Sequence, residues 1–484
     1  MARVASASLA GLAAFDAEPL SSLAWALVTA AEAGENASLF EAMANRASAL
    51  DLETFRTAEL VGLVWAFAQR RVQREQLFDK VARHWLARGF AHFTPQQLSV
   101  AVWSFAALGL GSRHTALFKK ISMACVKAGF AGFAARDVAL VVWAFGSCDL
   151  QQERFLYERA AAHCHRLGFD AFSAHELVVL ATAFAELGVA SDAPFFAHVF
   201  DACARHGAGA FAPKQLATLA WAVAASRVPH PGLVEGIGER LASTSLVSAL
   251  DSAALSDAAW GLAAASTGAP SSSAAAVQGA LAAVVGECQR RGWAALSARE
   301  TASVLWSLAC AQQLCAPFAL DALNRFEAVA PTAADAADAD AAAGMLAEVL
   351  AQWRIDLGAD MHAPPLFRCI DADRWVRPHP TAPSPSALVV LAAAEAHARA
   401  LGCACRRDVV SADGVVAADL HVTTPSGAAF ILDVAGSRKL AGGAAAFRRR
   451  LLERTAPVRE VGEKTWPADA GRQRVAVAAL LGLS

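Results

Sequence analysis

Two kinds of apolar block alternate along the first two thirds of the chain. One kind is apolar on nearly every side, as in Leu98-Ser99-Val100-Ala101-Val102-Trp103-Ser104-Phe105-Ala106-Ala107-Leu108, with equivalents over Val138 to Phe145 and Leu216 to Val223. A helix of that composition is buried on most of its surface. The other kind, Leu77-Phe78-Asp79-Lys80-Val81-Ala82-Arg83-His84-Trp85-Leu86, places its apolar residues on one helical face. The first kind opens on capping signals: Thr94-Pro95, Ser173-Ala174-His175-Glu176 and Ser297-Ala298-Arg299-Glu300. The second kind stops at Gly89-Phe90, Gly129-Phe130 and Gly168-Phe169. Phe93, Phe133, Phe172 and Phe211 then mark the joint to the next pair.

The pairs repeat. Tryptophan returns in a similar setting at Trp25, Trp65, Trp103, Trp143, Trp221, Trp260 and Trp306, at intervals of 40, 38, 40, 78, 39 and 46. The long interval is two units, with Thr182 in the missing register position. The last contains the small-residue insertion Ser266 to Ser273. The spacing predicts a unit of about 39 residues, eight times over, across roughly residues 15–328. One helix pair cannot bury its own apolar faces, whereas stacked pairs can, which predicts an all-α solenoid over residues 1–328. In that solenoid the tryptophans are expected to be core.

The remainder differs. Residues 327–373 hold nine Asp+Glu against two Arg, and Pro-rich runs follow, so residues 329–385 read as an acidic linker in which Met345 to Leu357 forms a possible extra helix. Residues 386–484 read as a small α/β domain. Its elements are a helix over Ala387 to Leu401, strands over Val409-Val410, Val415 to Thr424 and Ala429 to Val434, a basic helix over Ala444 to Arg454, a strand over Val458 to Val461 and a helix over Arg472 to Leu481.

Within that domain Phe430-Ile431-Leu432-Asp433-Val434-Ala435-Gly436, Phe447-Arg448-Arg449-Arg450-Leu451-Leu452, Val458 to Val461 and Thr465-Trp466 resemble a RAP domain. The upstream units are similar to the octotricopeptide and heptatricopeptide arrays that accompany RAP domains in organellar RNA-binding and FAST-kinase-like proteins. Two features depart from that pattern. The Pro-Pro-Pro-Glu-Trp signature of many octotricopeptide repeats is absent, and Ala435 and Ser437 to Lys439 replace a Gly-Pro-x-His type sequence. The resemblance implies a restriction-endonuclease-like fold for the C-terminal domain. It also implies RNA binding in a mitochondrion, or alternatively a plastid, in support of RNA processing, stability, translation or ribosomal RNA maturation. Its partners would be single-stranded RNA and an organellar ribosome or other RNA-processing proteins.

Composition narrows the reading without deciding it. The chain has 484 residues, is 56% hydrophobic and 18% charged, and carries a net charge of -2, so it is neither disordered nor uniformly basic. Ten cysteines without regular spacing argue against a disulfide scaffold and for a reducing compartment. Apolar windows such as Leu177 to Phe184 are too short to span a membrane. The opening residues MARVASASLAGLAAF fit a weak targeting segment or the edge of the first helix.

Positive charge is local. Residues 51–130 carry eleven Lys+Arg against five Asp+Glu, including Arg70, Arg71, Arg74, Lys80, Arg113, Lys119, Lys120 and Lys127. Phosphate neutralisation needs such a patch, although a solvated face on amphipathic helices accounts for it equally. The two positions that open each first helix are polar and variable: Gln96-Gln97, Arg136-Asp137, His175-Glu176, Lys214-Gln215 and Arg299-Glu300. In a regular stack they form a row suited to reading bases, or they are ordinary caps. Arg438, Lys439, Arg448, Arg449 and Arg450 add a second basic region.

Two further functions stay open. One is a protein-interaction solenoid without RNA contact. The other is a metal-dependent RNA endonuclease, for which Asp419 and Asp433 are the weak catalytic candidates. The Lys expected two residues past the second acid is Ala435, and Lys439 lies beyond it. Cys403 and Cys405 are too close for a zinc knuckle, and no Walker or Ser-His-Asp motif occurs, so no metal or cofactor is expected.

Overall fold

The computed structural model describes residues 12–29, 37–148, 154–186, 193–266, 271–292, 295–311, 345, 349, 385–407, 418–435, 449, 452–453, 455–462, 466–467 and 469–482. Nearly all of the predicted acidic linker, most of the basic helix and the Val409-Val410 strand lie outside them. The chain divides into two compact units, Met1–His206 and Gly207–Ser484.

The first unit is a row of helix pairs. In chain order its helices are α1 (Ala17–Thr29), α2 (Ala37–Ala49), α3 (Thr57–Gln69), α4 (Glu75–Arg88), α5 (Pro95–Ala107), α6 (Thr115–Ala128), α7 (Ala135–Ser147), α8 (Arg154–Leu167), α9 (Ala174–Glu186) and α10 (Ala193–His206). The first helices α1, α3, α5, α7 and α9 pack side by side, each against the next. The second helices α2, α4, α6 and α8 form a looser layer behind them.

Local chemistry sets the helix bounds. Thr94 caps α5 by accepting from the Gln97 N–H at 3.2 Å, and the Gln97 side chain accepts from the Thr94 N–H at 3.0 Å. Gly129, at φ 57, ends α6 in the left-handed conformation that a Cβ disfavours.

What joins one pair to the next is an aromatic ladder two layers deep. Phe40 meets Phe67, Phe78 meets Phe105, Phe118 meets Phe145 and Tyr157 meets Phe184, with ring centroids 5.2, 4.9, 5.3 and 5.8 Å apart and all four pairs edge-on. Each pair links a second helix to the first helix of the following unit, and all eight rings are buried. A second buried series lies beside it. Cys125, Cys164 and Cys203 follow one another at 39 residues, so three of the cysteines do carry the repeat spacing. Burial pushes each of these thiols up to about 12, and they serve as small apolar filling.

The repeating tryptophans occupy a different place from the one expected. Trp25 is 57% exposed, Trp65, Trp103 and Trp143 are half-buried, and of this series only Trp306 of the second unit, at 4%, is core. The reason is geometric. A first helix is covered by two neighbours and its own partner, and the indole lies on the strip that remains.

The second unit holds α11 (Pro213–Ser226), α12 (Pro231–Leu241), a short α13 (Thr244–Val247), α14 (Ser252–Ala265), α15 (Ser271–Arg291) and α16 (Ala298–Cys310). Its first helices α11, α14 and α16 again pack in series. The α11 and α14 backbones touch at Gly261, where an added Cβ would lie 2.4 Å from the Ala220 carbonyl carbon.

Farther along come α17 (Pro385–Ala400), β1 (Ala404–Arg406), β2 (Leu420–Thr423), β3 (Ala429–Ala435), β4 (Val458–Gly462) and α18 (Ala470–Leu481). The strands form one sheet in the order β1-β2-β3-β4, with β1/β2 and β2/β3 antiparallel and β3/β4 parallel. The β2–β3 turn closes through Gly427 at φ 85 and the Thr424 N–H donating to the Ala428 carbonyl at 2.8 Å. Val390, Leu391 and Ala394 of α17 and Val477 and Leu481 of α18 pack with Leu420, Val422, Leu432, Val434 and Val461 of the sheet. The sequence pattern contains β4 and α18 nearly to the residue but misses the short β1. The fold class is therefore a helix-pair solenoid followed by a small α/β domain.

Removing a rung of the ladder should be far worse than removing an indole. Phe118→Ala should cost about 3–5 kcal/mol, while Trp103→Thr, which copies the Thr182 position, should cost no more than about 1–2 kcal/mol. Chemical denaturation of both variants checks the order. Alanine at position 261 should destabilise by about 1–3 kcal/mol despite its better helix propensity. An increase in the melting temperature would refute the close α11–α14 contact.

Candidate nucleic-acid interface

The uncovered strip of the first helices recurs with a fixed spacing. On α3 it is Ala58, Gly62, Trp65 and Gln69; on α5, Gln96, Val100, Trp103 and Ala107. On α7 it is Arg136, Leu140, Trp143 and Ser147, and on α9, His175, Val179, Thr182 and Glu186. Steps of four, three and four residues keep one helical face. In the second unit Lys214, Thr218, Trp221 and Ala225 of α11 follow the same rule.

The two opening positions of each first helix thus separate. Gln97, Asp137, Glu176, Gln215 and Glu300 turn back and accept from the N–H groups of Thr94, Ala134, Ser173, Ala212 and Ser297 at 2.7–3.1 Å. They are caps, and Asp137 is buried, taking a further bond from the Ser99 hydroxyl at 3.1 Å. The preceding residues Gln96, Arg136, His175, Lys214 and Arg299 are exposed. Lys214 is tied to the next first helix, its Nζ donating to Asp251 Oδ2 at 2.7 Å, which holds the Asp251 carboxyl below its usual range. Arg136 has no ion pair among the described residues.

Seven residues past the opening position stands the tryptophan, replaced by Thr182 in the unit of His175. Trp103 and Trp143 approach to 6.2 Å at 37°, and in the second unit Trp260 and Trp306 approach to 6.4 Å at 25°. Half-buried neighbouring indoles such as Trp103 and Trp143, with polar and cationic side chains two turns away on the same face, form a surface that can stack planar rings and contact their edges.

The cationic group of residues 51–130 is not a single patch. Arg74 pairs with Glu41 at 3.0 Å, and Arg113, 39 residues on, pairs with Asp79 at 2.7 Å and with Glu75. Each ties a second helix to the one before it. Lys80 Nζ donates to the Ser48 and Leu50 carbonyls at 2.7 Å each, closing the end of α2, and Arg70 donates to the Leu27 carbonyl.

A further tie recurs in the last turn of the second helices. Arg88 reaches Glu53 at 3.0 Å, Arg166 the Gly129 carbonyl at 2.7 Å and Arg205 Asp170 at 2.7 Å. Lys127 holds the same register and is exposed. Lys119 and Lys120 are exposed on α6, in the layer behind the tryptophan strip, and Arg71 is exposed in the turn after α3. The sequence could have revealed these ties, since their spacing is that of the repeat.

In the C-terminal domain, Arg449 donates to Glu453 at 2.8 Å and to Glu460 at 2.9 Å. Arg438, Lys439, Arg448 and Arg450 lie outside the described residues. The β2/β3 register, extended by one step, sets Asp419 opposite Asp433, and β4 adds Glu460 beside Asp433. Asp419 is buried and its Oδ2 accepts from the Val434 N–H at 3.0 Å, so one of its oxygens stitches the sheet. Among the described residues no group of His, Cys, Asp or Glu is placed to hold a metal ion, and no helix is long and apolar enough to cross a membrane.

Fold and strip together define a helical-repeat protein with an open aromatic face. Residues 2–267, more than half of the chain, match the family model described as RNA-editing substrate-binding complex 6 protein, and the chain belongs to that family. No curated protein matches it.

Because Lys80 closes a helix end, Lys80→Met should lower stability by about 1–3 kcal/mol and leave nucleic-acid affinity unchanged. Denaturation and a binding titration on the same variant separate the two effects.

Proposed function

We propose that the open strip of the first helices binds single-stranded RNA. The observation that carries this reading is the half-open Trp103–Trp143 pair, with exposed Gln96 and Arg136 on the same face. Bases insert against indoles because every base has a flat π face, and the opening side chains contact base edges or phosphates. Membership of a family described by an RNA-editing substrate-binding complex supports both an RNA ligand and protein partners.

In this reading the chain works in a mitochondrion, within an RNA-processing assembly, as the organellar resemblance also suggests. Residues 1–328 form the RNA-binding array, residues 329–385 a linker, and residues 386–484 a RAP-like domain that clamps or recruits. The mixed sheet with α17 and α18 on it agrees with a restriction-endonuclease-like core. The commitment of Asp419 to the sheet favours a binding role over cleavage.

The test is a titration of the full chain with labelled single-stranded RNA at several salt concentrations. Arg136→Ala should weaken binding roughly fivefold to tenfold and flatten the salt dependence by about 0.7 in log–log slope. Trp143→Phe should bind nearly as wild type, and Trp143→Ala about tenfold more weakly. Equal affinity across all three variants would remove the strip from RNA binding. Lys119→Ala with Lys120→Ala asks whether the rear layer contributes, and full retention of affinity would confine binding to the front.

A further inference from the structure

Three residues other than glycine adopt positive φ among the described residues: Arg71 at 53°, Phe130 at 59° and Arg227 at 59°. Side chains resist this conformation, so each instance asks for a compensating interaction. Phe130 has one. Its ring is fully buried and meets Phe133 at 5.0 Å and His163 at 6.2 Å.

The two arginines have no such contact among the described residues. They share a register, six residues after Trp65 and Trp221, in the turn that ends a first helix. After α5 the same place is taken by Gly109 at φ 69, the residue such a turn normally requires. The hydrogen bonds of the α3 and α5 turns match as well. Val72 N–H donates to the Phe67 carbonyl at 3.0 Å, and Leu110 N–H to the Phe105 carbonyl at 2.9 Å. The α3 turn thus places Arg71 where the α5 turn places glycine; after α11, Arg227 is left-handed too, though there the Val228 N–H donates to Ser226 Oγ at 3.3 Å, and after α14 Ser266 holds the register at φ -76.

Neither guanidinium is paired among the described residues. Arg71 is exposed. Arg227 is half-buried, and burial lowers its pKa, the direction expected of a cation that has lost water and gained no anion. A partly desolvated charge without a partner is unfavourable until an anion arrives. Each residue lies past the C-terminal end of its own first helix, Arg71 at the far end of α3 from Ala58 and Arg227 at the far end of α11 from Lys214.

We infer that Arg71 and Arg227 are phosphate-binding positions, each accepting a backbone phosphodiester of the bound single-stranded RNA. This rests on the RNA-binding reading above and adds the residues that hold the backbone. A fork of N–H donors suits a phosphate.

The test pairs stability with binding in the full chain, using a labelled oligouridylate as probe. Arg71→Gly and Arg227→Gly should each raise the melting temperature by roughly 1–3 °C, because glycine relieves the strained turn. Each should also weaken binding about fivefold to tenfold and lower the log–log salt slope by about 0.7. Arg227→Lys should keep most of the slope. A glycine variant that melts higher yet binds with wild-type affinity and slope would overturn the proposal while leaving the strip reading intact. Absence of oligouridylate binding by wild type, together with absence of binding to mixed-sequence RNA, would overturn both.

Discussion

The structure depends on edge-on packing between an aromatic ring on one helix pair and a ring on the next. Phe40–Phe67, Phe78–Phe105, Phe118–Phe145 and Tyr157–Phe184 are four instances of one contact repeated at the period of the chain. In each pair one ring comes from a second helix and meets a ring on the first helix one unit later, so the contact exists only between units. A single pair would leave both rings in water. Stability is therefore a property of neighbours, as expected of a repeat protein, and within each unit the register of one pair dictates that of the next.

This packing has a consequence for chemistry. Because the phenylalanines and cysteines fill the space between layers, the tryptophans are not needed there. Trp65, Trp103 and Trp143 lie on the strip that two neighbouring helices and the partner helix leave uncovered. A Trp is large enough to cover part of the seam between adjacent first helices and still present one face outward. Thr182 occupies the same register with a small polar group, its hydroxyl donating to the Val178 carbonyl at 2.7 Å, which interrupts the aromatic row. The row is thus a surface whose content changes unit by unit over an unchanging core.

Charge is divided between two tasks in the same way. Arg74, Lys80, Arg88, Arg113, Arg166 and Arg205 bind the preceding pair, and most of their charge is spent on carboxylates or helix-end carbonyls. Exposed pairs of this kind add little stability individually. Arg71, Arg136 and Arg227 are not used in that way, and they lie on or beside the open strip. A net charge near zero conceals this division, because structural cations are matched by acids in the adjacent unit.

Whatever is local or periodic was already legible in the chain. The unit length, the capping residues Thr94 and Ser297, the Gly-Phe stops and the strands around Leu432 and Val461 follow from short-range chemistry that each segment carries alone. Which side of a first helix faces water did not follow, because a helix apolar on all sides has no amphipathic signal to orient it. Only the neighbours in the stack decide that, and they placed Trp103 and Trp143 outward and Asp137 inward. For the same reason the basic run in residues 51–130 read as one patch, whereas distances between successive pairs separated its structural members from its open ones. Positive φ at Arg71 and Arg227 is likewise invisible in composition, since it arises from the turn that the packed helices impose.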